Sequence, residues 1–119
     1  MIGNRNKSEL STGNGIHNSL AVGSTVKGDI VLDIDLRLDG CVEGNIICAS
    51  KIVIGPKGRV IGNIESANVE VAGTVTGNIH AKEKLTLKSS ANIEGDLHTK
   101  ILEIELNAKL NGRCNMSKE

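Results

Sequence analysis

A five-residue phrase of the form apolar–X–Gly–X–apolar recurs along most of this chain. It occurs six times, at residues 26–30, 42–46, 60–64, 75–79, 93–97 and 110–114. The glycines of successive phrases are separated by 16, 18, 15, 18 and 17 residues. A repeat of this length is typical of a solenoid, in which each coil buries its apolar side chains only against the neighbouring coils.

The composition suits a narrow interior made of similar layers. The 119 residues include no Phe, Tyr or Trp, which are the side chains that usually fill irregular space in a globular core. Val, Ile, Leu, Ala and Gly are plentiful instead, and they stack well in repeated layers. A chain of this length is expected to form one domain.

Alternation of apolar and polar residues predicts strands with one buried face. In the clearest stretch, one face carries Val69, Val71, Gly73, Val75, Gly77, Ile79 and Ala81. A second apolar phrase lies at residues 36–38, 52–54, 69–71, 85–87 and 102–104. Two strand signals per period, with turn residues such as those at 55–58 between them, predict the coils of a β-solenoid.

The expected fold class is all-β, a right-handed parallel β-helix of about six coils. A left-handed hexapeptide helix would repeat an apolar residue every six positions, but Val60 and Val69 are nine positions apart. We expect a disordered tail at residues 1–19, which are rich in Asn, Ser and Gly. The β-helix domain is expected at residues 20–114, and a short C-terminal tail at residues 115–119.

Charge and cysteine content restrict the function. The chain has 14 Lys and Arg against 14 Asp and Glu, and it lacks aromatic side chains for base stacking, so no nucleic-acid partner is expected. Neither a GxGxxG nor a GxxxxGK loop occurs, so no nucleotide is expected either. Three cysteines without a CxxC pair favour a reducing compartment, and the lack of a long apolar run favours the cytoplasm.

The pair His80 and His98 is the strongest candidate for chemistry. The two residues are 18 positions apart at equivalent places in the repeat, so adjacent coils should bring them together on the outer face. Two imidazoles there could share a metal ion. The same column continues with Glu65 and Ile47 and supplies no third ligand, so we interpret the pair as two solvated histidines.

The cysteines and carboxylates have structural interpretations as well. Cys48 is expected to be a small buried side chain in an inward column. Cys114 is expected in the core of the last coil, and Cys41 points outward without a histidine partner. The outward carboxylates are interpreted as a solvated face with cross-strand pairing, not as a glycosidase pair. No catalytic residue, cofactor or metal is therefore expected, and the chain is not expected to be an enzyme.

The two ends of the rod are the surfaces expected to carry the function. A β-solenoid leaves unpaired backbone groups and open apolar layers at its first and last coils. These surfaces are either covered by a capping segment or used for association with another molecule. The sequence has no segment suited to form a capping helix. We predict end-to-end assembly through apolar residues of the terminal coils, namely Leu20, Val22, Val26, Ile101, Leu102, Ile104, Leu106 and Leu110.

The ordered set of repeats, from about residue 20 to residue 116, resembles the bactofilins, which are bacterial cytoskeletal proteins. The resemblance is carried by residues 36–46, 69–79, 81–85 and 110–114. It implies a compact right-handed β-helix that polymerises through its ends, without nucleotide, into non-polar filaments. Members of the family often carry a terminal aromatic side chain near the polymerisation surface, whereas any such contact in this chain must be aliphatic.

The resemblance also implies attachment to the inner face of the cytoplasmic membrane through a short N-terminal segment. It further implies organisation of cell-wall hydrolases or synthases that set cell shape. The candidate membrane-contact residues are Met1, Ile2, Arg5 and Lys7. This set is small in apolar area and charge, so membrane binding would need the avidity of many tails along a polymer.

Two other functions remain open on the residues alone. A hexapeptide acyltransferase or a small lyase predicts a discrete oligomer, such as a trimer, with a ligand cleft between subunits. A monomeric adaptor predicts a soluble monomer that binds another protein through a flat β-face. The uneven repeat and the lack of a convergent polar site count against the enzyme.

Overall fold

The computed structural model describes residues 17–116, which form strands and turns with no helix. Within this range, therefore, no helix is present that could span a membrane. The strands follow one another as β1 His17–Leu20, β2 Thr25–Lys27, β3 Ile30–Leu32, β4 Asp35–Leu38, β5 Cys41–Glu43, β6 Ile46–Ile54, β7 Arg59–Ile61, β8 Ile64–Val71, β9 Thr74–Thr76, β10 Ile79–Leu87, β11 Asn92–Glu94, β12 Leu97–Ile104, β13 Lys109–Asn111 and β14 Cys114–Met116.

Neighbouring coils pair in parallel and in register. One side of the rod is a six-stranded sheet made of β2, β5, β7, β9, β11 and β13. The other two sides share an eight-stranded sheet, because long strands turn a corner between them: the start of β6 pairs with β3 and its end pairs with β4. The prediction of an all-β parallel solenoid of about six coils is confirmed.

The glycine phrase marks a corner of the coil. Gly77 lies between the end of β9 at Thr76 and the start of β10 at Ile79, and its φ is 143°. A Cβ at this position would collide with the carbonyl oxygen of Gly62 in the preceding coil. Glycine is therefore needed here both for its backbone conformation and for the close stacking of the coils.

The residue after the corner glycine links consecutive coils through its side chain. The Oδ1 atom of Asn63 accepts a hydrogen bond from the backbone N–H of Asn78 at 3.0 Å. The same contact recurs between Asp29 and Asn45, Asn45 and Asn63, Asn78 and Asp96, and Asp96 and Arg113. These bonds satisfy backbone N–H groups at a place where the strand pairing is interrupted.

The core consists of inward columns with one residue per coil. One column stacks Ile30, Ile46, Ile64, Ile79, Leu97 and Cys114 in register. Its first five members are buried. Cys48 is buried in a neighbouring column, as predicted. This stacking of branched aliphatic side chains explains how the chain builds a core without aromatic residues.

The ordered strands extend beyond the predicted domain bounds. Strand β1 begins at His17, not at residue 20, because it pairs with β4 from His17 opposite Asp35 to Leu20 opposite Leu38. Strand β14 continues to Met116, not to residue 114. The remainder of the predicted tails, residues 1–16 and 117–119, lies outside the described residues.

Candidate functional site

The C-terminal end of the rod exposes the inner layer of its last coil. Ile104 is in register with Leu87, one coil before it in the same inward column. Leu87 is 0% exposed, whereas Ile104 is 52% exposed. Strand β14 covers only residues 97–99 of β12, and within residues 17–116 no strand pairs with the far side of residues 101–104 or of β13. Inward-facing side chains of the last coil therefore remain accessible to solvent.

Cys114 and Met116 end two further inward columns. They are in register with Leu97 and Thr99, which are both buried. Cys114 is nevertheless exposed and Met116 is 50% exposed. The prediction that Cys114 has a core role is therefore wrong, because no coil within residues 17–116 follows the last one to bury it. Met116 was not among the predicted interface residues, although continuing the column of Thr99 by one more period would have identified it.

The other predicted residues of the last coil occupy different surfaces. Leu106 is highly exposed in the turn between β12 and β13, while Leu102 and Leu110 are half-buried against the core. Ile101 is in register with Lys84, whose ammonium group pairs with a carboxylate on the outside of the rod. Ile101 therefore lies on the lateral surface rather than in the inner layer.

The residues predicted to form the interface at the N-terminal end differ in their exposure. Leu20 is buried, so its side chain belongs to the core. Val26 is half-buried, and Val22 is exposed in the turn between β1 and β2. The predicted membrane-contact residues, Met1, Ile2, Arg5 and Lys7, lie outside the described residues.

Within residues 17–116, no coil follows the C-terminal end to accept hydrogen bonds from its backbone N–H groups. In the interior, the N–H of Gly77 donates to the carbonyl oxygen of Glu94 at 2.8 Å, and that of Gly95 donates to Asn111 at 3.1 Å. Gly112 and Cys114 occupy the next positions in this pattern, with no described coil beyond them. A second molecule stacked on this end would meet both an apolar layer and unpaired N–H groups.

A shallow groove of about 640 Å³ runs along one side of the rod. Its lining includes Glu65, Asn78, His80, Asp96 and His98. The imidazole rings of His80 and His98 have centroids 4.7 Å apart, so their predicted proximity is confirmed. Within residues 17–116, no group of three or more His, Cys, Asp or Glu side chains is arranged to hold a metal ion.

Two titratable side chains with a raised pKa, Cys48 and Lys88, have surroundings that fit a structural role. Burial raises the pKa of the Cys48 thiol, and its Sγ donates to the carbonyl oxygen of Ile34 at 3.2 Å. A raised pKa disfavours the nucleophilic thiolate.

On the outer surface, the hydrogen bond to Glu105 raises the pKa of Lys88, and Lys84 pairs with Glu103 at 3.2 Å. The predicted cross-strand charge pairing is confirmed.

Comparisons with known proteins agree with this architecture. A family model for bactofilins, described as polymer-forming cytoskeletal, matches residues 18–115. The chain is 36% identical over 97 residues to Bactofilin BacO of Myxococcus xanthus (strain DK1622), which covers 80% of this chain and 77% of that protein. It is 31% identical over 109 residues to Bactofilin BacP of the same organism, but this match spans only 45% of BacP and 91% of this chain.

A solved structure shows the same fold. The crystal structure of a mutant of the bactofilin from Thermus thermophilus superposes on this chain with a TM-score of 0.71 and 32% sequence identity. The match covers 76% of this chain and 100% of the other. By sequence and by structure, this chain belongs to the bactofilin family of polymer-forming cytoskeletal proteins.

Proposed function

We propose that this chain is a non-enzymatic scaffold that polymerises end to end, without nucleotide, into filaments. The observation that carries the proposal is the uncovered last coil, in which Ile104 is exposed although Leu87 in the same column is buried. A second molecule on this surface would remove Ile104, Leu106 and Met116 from water. Burial of apolar surface is the main favourable term in association of this kind.

The filaments are proposed to be non-polar, with like ends in contact. A contact between two C-terminal ends places the same exposed side chains of both molecules in one self-complementary interface, as a two-fold axis requires. A contact between two N-terminal ends would use Val22, Val26 and the backbone edge of the first coil. Alternation of the two contacts produces an open filament whose two ends are equivalent.

Membrane association and cell-wall organisation form the second part of the proposal. The N-terminal segment with Met1, Ile2, Arg5 and Lys7 would contact the inner face of the cytoplasmic membrane. Each tail binds weakly, and the polymer supplies the avidity. The filament would then hold cell-wall hydrolases or synthases in place and so influence cell shape. The support for this part is the family to which the chain belongs, together with the apolar and basic residues of the tail.

The test is electron microscopy of the purified full-length protein in physiological buffer, without nucleotide or metal. We expect filaments from the natural sequence and few or none from Ile104→Lys. The matched control is Ile61→Lys, because Ile61 is similarly exposed but lies on the lateral face, in β7. The control should form normal filaments.

Each alternative has its own outcome in this experiment. Normal filaments from Ile104→Lys would place the contact elsewhere on the rod. Uniform small particles from the natural sequence, over a wide range of concentrations, would contradict polymerisation. Such particles with trimeric mass would favour an acyltransferase or lyase, and monomers would favour an adaptor.

A further inference from the structure

Two histidines occupy adjacent coils on the lateral face of the rod. His80 in β10 and His98 in β12 are in-register partners, and both are exposed. Their ring centroids are 4.7 Å apart, and the ring planes meet at 79°. Backbone pairing on both sides of each strand holds the two residues at this spacing.

From this geometry we propose that His80 and His98 form a two-imidazole site for a divalent transition-metal ion of the Cu²⁺ or Ni²⁺ type. With a metal–nitrogen bond of about 2.0 Å, the ion lies about 3.2 Å from each ring centroid. Two imidazoles at about 90° around such an ion have centroids about 4.5 Å apart, which is the arrangement that tetragonal Cu²⁺ and Ni²⁺ prefer. The observed separation of 4.7 Å is close to this value. The terminal torsion of histidine is broad enough for each ring to turn a nitrogen toward the ion.

Charged side chains of both signs line the groove around the pair. Glu65 precedes His80 in the same outward column, and Asp96 and Arg113 line the same groove. Glu65 also pairs with Lys82 at 3.9 Å, which leaves the imidazoles as the two direct ligands. The groove is open to solvent, so water completes the coordination. An ion held by two protein ligands binds reversibly, unlike a closed structural site with four.

The site does not depend on polymerisation. Every molecule carries it on its side, so it is present in the free chain and in a filament alike. The test is isothermal titration calorimetry of the full-length protein with NiCl₂. The natural sequence should bind one Ni²⁺ per chain, and His80→Asn and His98→Asn should each lose this binding. The matched control is His17→Asn, which removes the third histidine, in β1, and should bind as the natural sequence does.

Thermal unfolding shows whether a variant loses Ni²⁺ binding because it lacks an imidazole or because it fails to fold. Without metal, the thermal unfolding midpoints of His80→Asn and His98→Asn should equal that of the natural sequence. Added Ni²⁺ should raise the midpoint of the natural sequence only, because a ligand that binds the folded state stabilises it. Unchanged Ni²⁺ binding in either variant, or no binding by the natural sequence, would overturn the proposal.

Discussion

Cys114 follows Leu97 in one inward column, yet only the leucine is buried. The backbone register pairs the two residues directly. Leu97 is 1% exposed, whereas the Cys114 thiol is exposed. The difference arises because, in the part of the chain that the structure describes, Leu97 has a coil on each side and Cys114 has a coil on one side only. The reaction rate of the Cys114 thiol therefore indicates whether another molecule covers the C-terminal end.

The three cysteines should differ in their reaction with a maleimide. In unassembled protein, Cys114 should react fastest and Cys48 slowest, because Cys48 is buried and its thiol pKa is raised. In filaments, Cys114 should become protected while the half-buried Cys41 keeps its rate. Peptide mass spectrometry after timed labelling measures all three, with Ile104→Lys as the unassembled reference. Equal labelling of Cys114 in filaments and in that reference would argue against a contact at this end.

Alanine substitutions in adjacent coils of one column should have unequal effects on stability. Leu87→Ala removes a fully buried side chain and should lower the free energy of unfolding by about 2–5 kcal/mol. Ile104→Ala should lower it by about 1 kcal/mol or less, because half of that side chain is already exposed in the free molecule. Urea unfolding below the concentration of assembly measures both. Similar losses from the two variants would mean that the last coil is covered in the free molecule.

Alanine substitutions at two corner glycines should distinguish the stability lost to backbone strain from the stability lost to collision between coils. Gly28 and Gly77 have φ values of 132° and 143°, so alanine is strained at either position. Gly28→Ala meets open space and should lose about 1–3 kcal/mol from this strain alone. Gly77→Ala should lose more, because its Cβ also collides with the carbonyl oxygen of Gly62. Thermal unfolding ranks the two, and a Gly28→Ala midpoint equal to or below that of Gly77→Ala would contradict the collision.

Stability should fall at alkaline pH partly because of Cys48. Its thiol pKa is raised in the folded state by burial, so the folded chain retains a proton that the unfolded chain releases. The contribution is complete below the ordinary thiol pKa of about 8.5 and is lost as the pH rises through the folded value. One proton gives a slope of at most about 1.4 kcal/mol per pH unit. Urea unfolding at pH 7 to 10 should show a smaller slope for Cys48→Ala than for the natural sequence; equal slopes would assign the effect to other groups.

The sequence alone was enough to predict the solenoid and much of its core. Each coil packs only against the coils that precede and follow it in the chain, so the period of the repeat also gives the spatial neighbours. The column of Ile30, Ile46, Ile64, Ile79 and Leu97 and the pairing of His80 with His98 could therefore be predicted by aligning periods. Alternation within a strand predicted which side chains point inward.

Only the tertiary structure decided which inward-facing side chains are buried. It also decided which apolar side chains lie at the end of the rod and which lie on its lateral surface. Cys114 and Met116 follow the inward pattern but are exposed, and Ile101 matches the apolar composition of the end but lies on the side. The start of β1 at His17 likewise depends on its pairing with β4. Burial and pairing depend on whether another coil lies alongside, and an alternating pattern of residues is the same with or without that neighbour.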